Sequence, residues 1–419
     1  NPSQNTSVGW LNYMELNARR ELKMSGHQML FRDVRSVGDS ANAKFVISNS
    51  NSNLSVWDVT NPIKVTERNA NYSSNQTTFI ASTDSLKEYL IFNGDSYYSA
   101  ELIGKISNQN LHGSDDDVEY VIVSHADFLL AANDLAQYHE QRDGIKTIVV
   151  TPQEIYNEFS SGAQDITAIR DFLRMFYKKP SNKLKYLLLF GDASYDPLSR
   201  ITNNTNFVPS YQSNNSVSPT DSYVTDDYFG LLDDMEGNFA NDLVDIGIGR
   251  FPVQTLNQAN NMVQKVKDYN GKMSFGDWRN KVTFVADDGD AGDGNTHMWQ
   301  ADSLANIIDD NYKNINIKKI YLDAFTQEST PGGPRSPDAQ NAITESVEKG
   351  SLLINYSGHG GELGWSKERI LEVGQINRWE NKNNLPLFVT ATCEFSRFDD
   401  PDRVSAGEYV FLNKYGGAI

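Results

Sequence analysis

From Val118 onward the chain alternates short apolar runs with stretches of helical spacing, and this rhythm leaves few folds open. Tyr120–Ser124 reads as a strand of the buried type. Residues 126–142 follow with Leu129, Leu130, Leu135 and Tyr138 at helical spacing, and 145–150 reads as the next strand. Asp165 stands where a helix cap belongs, with Ile166, Ile169, Phe172, Leu173 and Phe176 on one face beyond it. Tyr186–Phe190 is a third strand. Strand–helix–strand alternation of this kind builds a parallel, doubly wound sheet. A polar stretch over 198–240 interrupts the pattern before a strand at 244–249, and Leu256–Tyr269 reads as a closing helix. The pattern then restarts: strand 282–286, helix 297–308, strand 315–322, a Pro-started helix from Ser336 to about Lys349, and strands at 352–356 and 385–391. Two successive α/β units predict two side-by-side subdomains, 118–270 and 271–419.

Residues 1–117 read differently. Short alternating runs at 44–48, 54–59 and 89–93 are separated by clusters of Asn, Ser, Gly and Pro, which predicts a small β-sandwich. The polar segment 48–55 is a loop by composition. The border is expected within His-Gly-Ser-Asp-Asp-Asp (112–117). A chain of 419 residues is long enough for two or three domains. Its formal net charge of −18 argues against nucleic acid, which requires a basic face. No apolar run approaches the ~20 residues that span a bilayer. Tyr-Gly-Gly-Ala-Ile (415–419) reads as a turn entering a further strand, so the chain is expected to be a fragment of a longer protein.

The single cysteine excludes an intrachain disulfide and a Cys-rich zinc site. Cys393 ends the apolar run Leu-Pro-Leu-Phe-Val-Thr-Ala-Thr-Cys-Glu (385–394). A similar run, Leu-Leu-Ile-Asn-Tyr (352–356), leads into Ser-Gly-His-Gly-Gly and so delivers His359. In an open parallel sheet, functional groups gather beyond the carboxyl ends of the strands. A thiol and an imidazole on adjacent strand ends form the minimum pair for thiol nucleophilic catalysis. Gly358, Gly360 and Gly361 allow a close approach of backbone beside the His. A lone Cys or His is more often structural. The joint arrangement, with polar Glu394 after the Cys, is what favours catalysis.

Tyr-Ser-Gly-His-Gly-Gly followed by Val-Thr-Ala-Thr-Cys-Glu-Phe-Ser resembles the gingipain family of cysteine peptidases, whose fold is caspase-like. Further stretches resemble a sortase branch of that family: Tyr-Val-Ile-Val-Ser-His-Ala-Asp-Phe (120–128), Leu-Phe-Gly-Asp-Ala-Ser-Tyr-Asp-Pro (189–197), Ser-Pro-Thr-Asp-Ser-Tyr (218–223) and Asp-Ile-Gly-Ile-Gly-Arg-Phe-Pro-Val (245–253). The resemblance implies cleavage of the C-terminal secretion signal from type IX secretion cargo proteins and transfer of the new carboxyl end to a surface glycolipid, anionic lipopolysaccharide. It also implies the cell-surface side of a bacterial outer membrane, and an outer-membrane partner protein. It places the oxyanion donors at the backbone N–H groups of Gly360 and Cys393. An acidic residue is expected to orient the imidazole, and Asp287 or Asp288 stands at the matching place.

The acidic run 287–295 is oxygen-rich enough for calcium, with Asp288, Asp290 and Asp293 as candidates, although its spacing is not that of an EF-hand. Gingipains bind calcium; no cofactor is required for the thiol chemistry itself. His297 is read either as a polar helix-start residue or as lining the site. Glu362 and Glu394 are expected at the surface. Asn-x-Ser/Thr motifs at Asn5, Asn53, Asn71, Asn75, Asn203, Asn214 and Asn355 are read as chance. A gingipain-like endopeptidase and a non-catalytic surface scaffold remain the alternative functions.

Overall fold

The computed structural model describes residues 14–94, 97–102, 104–213, 222–237 and 242–419. Residues 218–221 of the Ser-Pro-Thr-Asp-Ser-Tyr motif, and Asn5 and Asn214, lie outside the described residues. The chain divides into two compact units, 1–107 and 108–419.

The first unit is antiparallel. One sheet joins Gln28–Arg32, Glu88–Asn93, Leu54–Asp58 and Thr66–Glu67 in that order, and a second joins Asn42–Ser48, Gln76–Ser82 and Asn71–Ser73. A single apolar cluster draws from both, with Met29, Val56, Tyr89 and Ile91 from one sheet and Phe45, Ile47, Phe79 and Ala81 from the other. Inward residues alternate with outward ones, as in the burial of Phe45 and Ile47 along their strand, which is the pattern of packed sheets.

The second unit begins earlier than the composition change at 117. Glu158 explains why: its carboxylate accepts the backbone N–H groups of Leu111 and His112, and Leu111 joins the α/β core. This unit contains two four-stranded parallel sheets. The first is made by β1 (Tyr120–Ser124), β2 (Thr147–Val150), β3 (Tyr186–Phe190) and β4 (Gly247–Phe251), in the order β4-β3-β1-β2. Helices α1 (Leu129–Asp143), α2 (Pro152–Phe159), α3 (Ile166–Tyr177) and α4 (Leu256–Tyr269) cover its two faces. Their boundaries follow from local chemistry. Thr151 with Glu154 and Thr255 with Gln258 form capping boxes, and Asp165 accepts the N–H of Thr167. The apolar stripe of α3 is buried as its spacing predicts.

The second sheet consists of β5 (Lys281–Ala286), β6 (Asn316–Tyr321), β7 (Leu353–Ser357) and β8 (Leu387–Ala391), in the order β6-β5-β7-β8. Helix α5 (Thr296–Asn311) crosses from β5 to β6, and α6 (Pro337–Glu348) from β6 to β7. Ser336 precedes α6 without capping it; its hydroxyl donates to the Thr326 carbonyl instead.

The expected strand at the chain end is not formed. Residues Ala406–Leu412 make a helix, α7, opened by a Ser405–Glu408 capping box, and 413–419 are irregular. Ile419 N–H does reach the Pro386 carbonyl just before β8. The buried ammonium of Lys265, on α4, donates to the carbonyls of Phe411, Gly416 and Ala418 at 2.6, 3.0 and 3.1 Å, so the last segment is anchored to the helix layer of the first sheet.

Candidate active site

Strands β7 and β8 are hydrogen-bonded neighbours, with Ser357 opposite Ala391 as their last pair. His359 and Cys393 each stand two residues beyond that pair, at the carboxyl edge of one sheet, and both are exposed. The contact continues past the strands, because Gly358 N–H donates to the Ala391 carbonyl at 3.3 Å. A Cβ on Gly360 would lie 2.4 Å from Thr392 Oγ1, so the residue after the His is pressed against the residue before the Cys. That close approach requires glycine.

The backbone around His359 is clamped. Its N–H donates to Asp287 Oδ2 at 2.9 Å. Its carbonyl accepts the Tyr356 hydroxyl at 2.6 Å and the Ser366 N–H at 2.8 Å. Tyr356 is fully buried and stacks on Trp365 with ring centroids 4.2 Å apart. A rigid aromatic pair therefore fixes the peptide while leaving the imidazole at the surface. On the other strand, Glu394 adopts φ of 52°, in the left-handed region that a non-glycine residue enters at a cost of roughly 1–2 kcal/mol. The chain thus turns immediately after Cys393.

The structure separates the two candidate orienting acids from the ring. Asp287 is 3% exposed and holds the His359 backbone, not the imidazole. Burial pushes its carboxyl upward, opposed by the His359 N–H, with Asp288 adding like charge. Asp288 accepts from Gln327. The His359 ring is met by Asp293, 2.8 Å from Nε2, and by Asp290 at 3.3 Å. His297 packs edge-on against it, centroids 5.0 Å apart. The three calcium candidates thus divide: Asp288 groups with Asp287 and buried Glu368, whereas Asp290 and Asp293 gather around His359.

Glu362 departs from its expected surface placement. Its carboxylate is only 11% exposed and is held by both Arg397 and Arg403. Arg397 also pairs with Asp399 at 3.1 Å. These pairs tie the loop after His359 to the loop after Cys393, and their charges hold the Glu362 carboxyl below its ordinary range despite burial. Asn355, in β7, is buried, so its glycosylation motif is closed to modification.

A groove of about 210 Å³ runs along β8 beside the Cys393 turn, lined among others by Arg250, Phe388, Thr390, Phe398 and Glu408. It brings β4 of the first sheet against the open edge of the second.

Residues 113–419 match the model of peptidase family C25. Gingipain R2 of Porphyromonas gingivalis is 22% identical over 264 residues, covering 62% of this chain and 30% of that protein. The crystal structure of dimeric latent PorU from the same organism is similar at a TM-score of 0.53 and 29% identity, over 61% of this chain and 26% of that one. The Arg-specific cysteine proteinase gingipain R gives a TM-score of 0.55 at 20% identity, over 73% of this chain and 62% of that one, a likeness of fold. The chain thus spans about a third or less of the length of the curated gingipain and of PorU. On the family match over most of its length, the chain belongs to peptidase family C25, the gingipain family of cysteine peptidases, with a caspase-like fold.

Proposed function

We propose that this chain carries the acyl-transfer site of a type IX secretion sortase, acting at the cell-surface side of a bacterial outer membrane. The supporting observation is that Cys393 and His359 leave neighbouring parallel strands at equivalent positions and stay exposed. In this reading His359 takes the proton of the Cys393 thiol as sulfur attacks the scissile carbonyl. The backbone N–H groups of Gly360 and Cys393 donate to the developing oxyanion. Collapse expels the amine end of the C-terminal signal, which receives the proton from His359, and leaves a thioester of the cargo. An amino group of a lipopolysaccharide acceptor then displaces the thiol, giving an amide and restoring the site. The likeness to latent PorU, stronger in sequence than the likeness to gingipain R, supports this choice of substrate over general proteolysis. The cargo, the acceptor and an outer-membrane partner protein are part of the proposal.

The test is mass spectrometry of a model cargo bearing a C-terminal signal, incubated with the protein, with and without an amine acceptor. The expected product carries the acceptor at its new carboxyl end, and Cys393→Ala yields none. A product bearing only water in saturating acceptor identifies an endopeptidase. Unchanged cleavage by Cys393→Ala refutes the thiol mechanism altogether.

A further inference from the structure

One ring nitrogen each of His359 and His297 and an Asp293 carboxylate oxygen lie within 4.8 Å of one another. The individual separations carry more information. Asp293 Oδ2 is 2.8 Å from His359 Nε2 and 3.7 Å from His297 Nε2, while Asp290 Oδ2 is 3.3 Å from His359 Nε2. A tetrahedral zinc ion with bonds of about 2.0–2.1 Å sets neighbouring donor atoms ~3.3 Å apart. The two edges that Asp293 makes with the histidines, 2.8 and 3.7 Å, lie on either side of that value. Nitrogen and carboxylate donors in this number are also what zinc selects over calcium, which prefers six to eight oxygens.

A plain ion pair between His359 and Asp293 would account for one of these contacts, but not for His297. Its Nε2 is buried and has no hydrogen-bond partner, while pointing at the same carboxylate. A buried ring nitrogen without a partner costs about 1–3 kcal/mol, and a cation between the two rings would satisfy it. The rings cross at 82° with centroids 5.0 Å apart, so they meet edge to face and do not stack. The N-terminus of α5, where His297 sits, opposes a cation with about half a charge. Two carboxylates outweigh it. Asp290 is already braced by the N–H groups of Gly292 and Asp293 on Oδ1, which leaves Oδ2 turned toward His359.

We propose that His297, His359 and Asp293, with solvent completing the tetrahedron, form a zinc site that occupies the imidazole of the proposed catalytic pair and holds the enzyme inactive. The inhibitory part rests on the reading of His359 as the proton acceptor. A neutral imidazole carries its proton on one nitrogen and its lone pair on the other, so a ring that coordinates through Nε2 has no lone pair left for the thiol proton. The site therefore makes turnover and metal binding mutually exclusive. Cys393 is not required for binding.

Isothermal titration with zinc chloride tests the site in a Cys393→Ala background, where no thiol is present. One zinc ion per chain is expected, with affinity at least tenfold weaker after His297→Ala or Asp293→Asn. Cobalt substituted for zinc should give the intense visible absorption of a four-coordinate ion, lost in both variants. His297→Gln provides a second variant, and thermal unfolding in chelator verifies that each protein is folded. Equal affinity with and without His297, or no binding in the Cys393→Ala protein while the unmutated chain binds, overturns the proposal. With Cys393 present, saturating zinc should abolish turnover and chelator restore it. Binding that depends on His297 while turnover persists would leave the metal site standing and refute His359 as the base.

Discussion

Asp287 is the most informative position to perturb, because it acts on the His359 peptide rather than on the ring. Its carboxylate receives the His359 N–H at 2.9 Å in a site where the residue is 3% exposed. A hydrogen bond to a charged group contributes about 1.5–3 kcal/mol, and stranding its buried donor costs a similar amount. Asp287→Ala should therefore lower unfolding stability by about 2–3 kcal/mol. If the same energy is lost from the transition state, then at about 1.4 kcal/mol per factor of ten kcat falls roughly 30- to 140-fold. Asp287→Asn keeps an acceptor oxygen and removes a charge that burial already disfavours. It should stay within about 1 kcal/mol of the native stability and keep most of the turnover. The assay is thermal unfolding combined with kcat and KM on a signal-peptide substrate. The two variants must separate in kcat while the pH profile of each stays in place, since neither touches the imidazole. An Asn variant as damaged as the Ala variant would show that the charge acts on the ring, contrary to the geometry. A harmless Ala variant would show that the clamp positions nothing.

Burial raises the Glu408 carboxyl to about 8, with nearby Asp192 adding to the shift. The folded state thus holds a proton that the unfolded state releases near its ordinary 4.5, and stability falls as pH rises through that window, by up to ~4–5 kcal/mol. Glu408→Gln retains the capping box and should flatten the fall between pH 5 and 8 in denaturant melts; an unaltered slope counts against a protonated Glu408. Lys265→Met removes the donor shared by three carbonyls at the chain end. Hydrogen exchange over 411–419 should quicken at least tenfold relative to β5, and uniform exchange across both would refute local anchoring.

The strand order near the site was legible because two apolar runs, 352–356 and 385–391, each stop just before a chemically distinctive residue. Helix α4 was read over 256–269, and the structure shows a Thr255–Gln258 capping box at its start. The choice among acids was not legible. Asp287, Asp288, Asp290 and Asp293 share one loop without periodicity, and only the fold shows which oxygen meets a peptide and which meets a ring. Glu362 looked like a surface residue because its partners, Arg397 and Arg403, lie more than thirty residues away in sequence. The last helix did carry a local signal, Ser405-Ala-Gly-Glu408, a capping box that the glycine-rich end obscured. Beyond it, Gly416 packs against Asn381 and Gly417 against the Val410 carbonyl, so 413–419 fold back instead of extending into a strand.

In the proposed mechanism Cys393 forms the covalent intermediate with His359 as its proton acceptor. Acid-quenched rapid mixing with an activated ester of a cargo peptide, read by intact-mass spectrometry and peptide mapping, tests it directly. One acyl group is expected on Cys393 within the first turnover, none in Cys393→Ala, and acylation slowed at least a hundredfold in His359→Ala. Turnover without any adduct on Cys393, or acylation at the native rate without His359, contradicts it.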